Sequence, residues 1–208
     1  MDRLPPIHRY SKRKYLEDLA DFGRVRFSHA RTFNDSTLTP AQSDDEHHRI
    51  YTLDPSVHTV DIYGQDGRMY HFENLPYLLM FDRLSNRQGK LIDYYIYCFT
   101  AEHNERFFSE FNADACLMIH HPEEFYVRLI KACHQRYPRC QFIAGKCKYY
   151  DPTQLPSPAK KSELVFMKSN LYSWQKEVRI FFYFHSDEEF EDYLTIDAGS
   201  IRDICEFV

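Results

Sequence analysis

The chain has 208 residues, 26 Lys and Arg against 31 Asp and Glu, and a formal net charge of −5. Its 17 Phe, 16 Tyr and one Trp stand against only six glycines, where average usage of about 7% gives roughly fifteen. No two glycines are spaced as G-x-G and none precedes Gly145-Lys146 at the P-loop distance, which excludes a Rossmann fingerprint and a Walker phosphate cradle.

In chain order, PPIHRYS reads as a short strand, with Ser11 as the N-cap of a helix. Tyr15, Leu16, Leu19, Ala20 and Phe22 recur at helical spacing, and Gly23 stands at the C′ position. RVRFSHA alternates Val25 and Phe27 inward against Arg26 and Ser28. From about Asn34 to Pro55 the chain is polar (NDSTLTPAQSDDEHH) and reads as a long surface loop, the place expected for target recognition. VHTVDIYG and RMYHFE read as a hairpin around Gly64 and Gly67, and PYLLMFDRL as a short helix. KLIDYYIYCFT is a β-type run expected as a central strand. NERFFSEF is a helical turn or two, ACLMI a buried strand, and PEEFYVRLIKACHQRY a helix with acids in its first turn and bases near its end. QFIAGKCKYY, ELVFMK, WQKEVRIFFYF and YLTID complete the strands, and DPTQLPSPAKKS is a Pro-rich loop. Strands outnumber helices without βαβ alternation, which predicts one α+β domain over 1–208, with two packed, mostly antiparallel sheets and flanking helices.

A coat of 27% charged residues and no apolar run near the roughly 20 residues needed to cross a bilayer predict a soluble protein with no membrane partner. MDRLPPIHRYSKRK lacks an apolar h-region, so a cytoplasmic location is expected. Mild acidity argues against nonspecific duplex binding, and Lys12-Arg13-Lys14 and Lys160-Lys161 read as solvated surface. The six cysteines form no C-x-x-C pair. Cys133-His134, Cys140 and Cys147 lack the short ligand spacing of zinc sites, so no metal is expected.

Three segments place polar residues where buried strands ordinarily carry none: His8-Arg9-Tyr10, the run from Ser28 to Asp35, and Trp174 to Arg179. In a strand Gln175, Glu177 and Arg179 project to one face. A carboxylate entering VRIFFYF is costly unless paired or facing a cleft. It is either a structural ion pair with an arginine or a cleft carboxylate kept ionised by one. Asn34-Asp35 reads as a turn pair.

The order of these segments resembles the bacterial "FNDP" domain of unknown function. The resemblance is carried by Arg9-Tyr10, Phe33-Asn34-Asp35, Cys98-Phe99-Thr100 before Phe107-Phe108, and Trp174 with Glu177 and Arg179. Ser36 replaces the proline usual after F-N-D, and Phe108 stands where tryptophan is common. That domain in turn resembles, more distantly, the ADP-ribosyltransferase fold, whose members bring Arg or His from the first strand, Ser or Tyr from the second, and Glu from a late strand. Carried over, these are Arg9 or His8, Ser28, and Gln175 with Glu177. The resemblance implies an NAD-dependent ADP-ribosyltransferase or NAD glycohydrolase acting as a bacterial toxin, effector or antiphage factor. Its substrate is NAD, its acceptor a protein or nucleic acid, and its partner an antitoxin or immunity protein.

Breaking the nicotinamide glycosidic bond builds an oxocarbenium-like ribose, which a fixed carboxylate stabilises in the transition state. Glu177 takes the ribose 2′-hydroxyl in this reading, Gln175 orients the acceptor, and Arg9 pairs phosphate with its forked donors. Ser28 positions the ribose, Tyr10 or Phe33 offers a face to nicotinamide, and Arg31 is a second phosphate contact. The alternative is a noncatalytic nucleotide- or protein-binding domain of the same fold. A nuclease reading through Asp44-Asp45-Glu46 lacks strand-borne ligand spacing.

Overall fold

Helical periodicity and a glycine stop produce the strand, helix, strand unit that opens the chain: β1 (Ile7–Ser11), α1 (Arg13–Phe22) and β2 (Arg24–His29). The structure is a computed structural model that describes residues 4–34, 48–53, 60–63, 68–72, 78–83, 94–154, 161–183 and 191–208. α1 buries Leu16, Leu19 and Ala20, one stripe of its surface. Its N-cap is Lys12 and not the expected Ser11, because Ser11 is still paired in the sheet with Ala115. The orphan amide of Arg13 donates instead to Asp114 Oδ1 at 2.6 Å. Gly23 ends the helix in the left-handed region, at φ 60°.

β3 (His48–Leu53) pairs antiparallel with β6 (Leu78–Arg83), and β4 (Val60–Tyr63) with β5 (Met69–Phe72). The second ribbon is the expected hairpin. The first corrects two expectations, since His48–Leu53 falls in the stretch read as polar loop and Leu78–Arg83 in the segment read as a short helix. A six-residue apolar run has no period that separates helix from strand, and the pairing partner decides. Asp35 and Ser36, the acids Asp44-Asp45-Glu46 and most of the proposed recognition loop lie outside the described residues.

The remaining elements are β7 (Tyr95–Thr100), α2 (Arg106–Glu110), β8 (Ala115–Ile119), α3 (Pro122–Arg136), β9 (Gln141–Lys146), β10 (Lys148–Tyr150), α4 (Lys161–Leu164), β11 (Met167–Ser169), β12 (Glu177–Tyr183), β13 (Tyr193–Asp197) and β14 (Cys205–Phe207). ELVFMK is not one strand. The Phe166 amide donates to the Glu163 carbonyl at 2.9 Å, closing a turn, and only Met167–Ser169 extends, parallel to β10.

The fold is α+β, as expected, but the main strands form one eight-stranded sheet in place of two packed sheets. Its order is β13-β2-β7-β1-β8-β14, with β12 on the other edge of β7 and β9 beyond it. All its pairings are antiparallel. β12 pairs along the whole of β7, from Glu177↔Thr100 to Phe182↔Tyr95. The opposite edge is shared: β2 takes its start through Ser28↔Ile96, and β1 takes its end through His8↔Thr100. Continuing either register brings Tyr10 of β1 and Arg26 of β2 to the same residue, Cys98. Both cannot pair there, so β1 leaves with β8 and β2 with β13, and the sheet forks.

One face of the sheet is the core. Ile7, Val25, Phe27, Tyr97, Phe99, Leu117, Val178, Ile180 and Phe182 pack there against α1 and against Phe125, Leu129 and Cys133 of α3. The fork therefore opens on the other face, where alternation places His8, Tyr10, Ser28, Cys98, Thr100 and Glu177. No helix among the described residues is long and apolar enough to cross a membrane.

Gly23 locks the junction between α1 and β2. A Cβ there would collide with the Gly199 carbonyl, whereas one at Gly199 (φ 83°) meets open space. Gly23→Ala is expected to cost more than the roughly 1–3 kcal/mol of a left-handed backbone alone, and Gly199→Ala to cost less than Gly23→Ala. Urea unfolding of the two variants checks the order.

Candidate active site

The fork holds a cavity of about 250 Å³. Into it β1 brings His8, Arg9 and Tyr10, β2 brings Arg26 and Ser28, and the turn after β2 brings Thr32 and Phe33. Ile96 to Thr100 of β7 form its floor, and Lys168, Gln175, Glu177, Phe111 and Tyr193 close it. Seven of the eight candidate residues thus line one cleft. Arg31 is the exception: its Nε pairs with Asp192 Oδ1 at 2.9 Å on the exposed outer side, away from the lining. Arg31 stands three residues after Ser28, an odd spacing that does not return a strand residue to the same face, and the short 3-10 turn Ala30–Asn34 carries it outward.

Arg9 sits in the gap of the fork. Its Nη1 donates to the Cys98 carbonyl at 2.8 Å, and its guanidinium lies 4.6 Å from the centre of the Tyr97 ring. The arginine thus supplies a hydrogen bond on the β7 edge between the two strands, and its fork retains further donors. Arg26, across the gap, lies over the Tyr193 ring at 4.4 Å. Arg24, Arg31, Arg106, Arg128, Arg179 and Arg202 each hold a carboxylate. Among the described residues Arg9 and Arg26 do not, so positive charge faces the cleft from both of its strands.

Gln175 and Glu177 both line the cleft, for a different reason from strand alternation. Asn170–Gln175 is a 3-10 turn, and Lys176 adopts a left-handed conformation (φ 46°) before β12 begins. That kink, held by the Ala101 amide on the Lys176 carbonyl at 2.9 Å, turns buried Gln175 toward the cleft.

Glu177 is 6% exposed and held from both sides. Arg179 Nε contacts Oε1 at 2.6 Å and Lys168 Nζ contacts Oε2 at 2.7 Å. Arg179 also donates to the Val165 carbonyl at 2.8 Å, and the Glu177 amide donates to the Tyr149 hydroxyl at 2.8 Å. Burial pushes the carboxyl pKa upward, but Arg179 and Lys168 outweigh it and hold the group well below the ordinary carboxylate range. Both sequence readings of Glu177 meet here, a buried ion pair that also faces a cleft. A carboxylate offers about four lone-pair sites, and the two cations together with the Cys98 thiol do not use all of them. Cys98, beside it, has its thiol pushed well above the ordinary value by burial and then by the Glu177 charge.

Tyr10 is committed to the protein. Its hydroxyl accepts the Asn104 amide and bonds His103 Nδ1, both at 2.8 Å, and Phe107 and Phe108 meet its ring edge-on. Phe33 lines the cleft and packs on its other side against the Ala30, Tyr94 and Ile96 cluster. Sequence reasoning missed Arg26, Lys168 and Tyr193. Arg26 carried a signal, since it shares a strand face with Ser28, and so did Lys168, a charge in the apolar run ELVFMK. Tyr193 carried none.

No family model, curated protein or solved structure matches the chain.

Glu177→Gln is expected to cost roughly 3–5 kcal/mol, because it strands two buried cations. The stabilisation from a depressed carboxyl pKa is complete above the unfolded value of 4.5 and is lost as pH falls below it. Buried His8, with its pKa lowered from 6.5 chiefly by desolvation and then by His103, adds a loss that begins below pH 6.5. Wild-type melting temperature should therefore fall from about pH 6.5 downward and more steeply below about 4.5, and the second limb should be shallower in Glu177→Gln, where Asp197 and Asp203, held low by Arg24 and Arg128, still contribute.

Proposed function

We propose that the chain is an NAD-consuming enzyme of the ADP-ribosyltransferase class, transferring ADP-ribose to a macromolecule or to water, in bacterial conflict as a toxin, effector or antiphage factor. The observation that carries this reading is the convergence of Arg9, Ser28, Gln175 and Glu177, from separate elements, on one cleft. At about 250 Å³ the cavity falls short of the roughly 300–1,000 Å³ of sites that enclose a whole drug-sized ligand. It suits one end of a dinucleotide, the nicotinamide and its ribose, with the rest lying over the open side.

In this reading Arg9 and Arg26 take phosphate from the two lips of the fork, and Arg26 replaces Arg31 in that role. Phe33 walls the nicotinamide, and Ser28 bonds the ribose. Glu177 accepts the ribose 2′-hydroxyl and faces the positive charge that grows at C1′ as the bond to nicotinamide breaks. Lys168 and Arg179 keep it ionised and fixed, which removes the need to reorganise during the reaction. The acceptor, a protein side chain or a nucleic acid, attacks C1′ from beside Gln175.

The double clamp on Glu177 also favours a second reading, a binding domain in which the triad is purely structural. Nicotinamide release from NAD, measured for the pure protein alone and with lysate, protein or nucleic acid, separates them. The enzyme reading expects turnover, at least about 100-fold slower in Glu177→Gln at a temperature where the variant is folded, and toxicity on expression that this substitution relieves. NAD binding without turnover under every condition would establish the second reading.

A further inference from the structure

Transfer releases a proton from the acceptor, and Glu177 is unsuited to take it. Two cations occupy it and depress its basicity, so it stabilises charge but binds a proton poorly. The other ionisable groups of the cleft are no better placed. Arg9, Arg26 and Lys168 are cations, the Tyr193 ring is covered by Arg26, and burial pushes the Tyr10, Tyr97 and Cys98 side chains upward, so these three are protonated. His8 differs. It lines the cleft, is 7% exposed, and its Nδ1 is buried with no hydrogen-bond partner. Sheet register sets it in one row with the carboxylate, His8↔Thr100↔Glu177, across β1, β7 and β12.

We propose that His8 is the general base of the transfer step and receives the acceptor's proton on Nδ1. The inference rests on the NAD reading above. As the acceptor atom bonds C1′, the C1′–N bond breaks and its electron pair neutralises the nicotinamide ring. The acceptor's proton passes to Nδ1, giving an imidazolium in the same row as Glu177, and later returns to water. The Thr100 backbone bonds the ring, and the proposal assigns the lone pair to Nδ1, the nitrogen without a partner.

The charged and titratable neighbours are few. His103, with ring centroid 5.7 Å away, disfavours a positive charge on His8 and is itself held by Tyr10 and by Glu105 at 3.5 Å. On the β8 side the register partner is uncharged Met118, with Glu206 beyond it, 3.6 Å from His120 Nδ1. On the β7 side stands Thr100, with Glu177 beyond. Desolvation and His103 lower the His8 pKa, so the ring is neutral and ready to accept at neutral pH.

The test compares nicotinamide release by wild type and His8→Asn between pH 5 and 8.5, with nitrogen NMR of the wild-type histidines. The proposal expects wild-type kcat to fall on the acid side with an inflection below 6.5. It expects His8→Asn to lose roughly 100-fold or more in kcat with little change in KM for NAD, a flat acid limb, and partial recovery with added imidazole. NMR should find His8 neutral, Nδ1 unprotonated, and titrating below 6.5, a readout that needs neither a variant nor turnover. His8→Asn within threefold of wild type with the same acid limb, or His8 protonated on Nδ1 at pH 7, overturns the role while leaving the NAD reading standing. Wild type without turnover overturns both.

Discussion

Cys98 has one backbone edge toward β1 and β2, and two strands arrive to use it. His8↔Thr100 and Ser28↔Ile96 are each in register with β7, and extending them brings Tyr10 and Arg26 to the same position. Because a sheet edge accepts one partner, the strands part, and backbone is left at the floor of a gap. A buried carbonyl without a partner costs about 1–3 kcal/mol. Arg9 meets that cost at Cys98 from inside the fork. The cleft and its positive lips both follow from this conflict.

On the other edge of β7 the same logic produces the buried triad. β12 must pair along β7 to complete the sheet, and this carries Glu177 and Arg179 into a water-poor environment on the cleft face. A lone carboxylate there would protonate. With Arg179 beside it and Lys168 arriving from β11, it stays charged. Such an arrangement is weak as a source of net stability, since desolvation offsets much of the attraction. Its effect is to hold a negative charge at a fixed point of the cleft, in the same sheet row as His8.

Several parts of the site were legible in the chain. Polar residues on otherwise apolar strands marked His8, Arg9, Ser28 and Glu177, because burying them unpaired is costly. Arg31 misled, since closeness to Ser28 in sequence does not show which way a side chain leaves the turn after a strand, and here it turns out to Asp192. Gln175 was placed correctly although the kink at Lys176, not alternation, turns it inward. Lys168 stood out as a charge in an apolar run, but its meeting with Glu177, nine residues on across a turn and a strand junction, is encoded by no short-range pattern. The role expected for Tyr10 changed for a related reason: its hydroxyl is claimed by the 101–104 segment, which is distant in sequence.

The scarcity of glycine excluded the Gly-rich phosphate cradles outright, because those need backbone that other residues cannot adopt. Periodicity determined α1, α3 and most strands, and the α+β class with them, since local hydrophobic pattern sets which face each element buries. Whether LLMFDR pairs as a strand, whether the strands form two sheets or one forked sheet, and which cation meets Glu177 were decided only by the tertiary structure. Each depends on a partner far away in the chain, and a residue's own neighbours carry no record of what it will pair with.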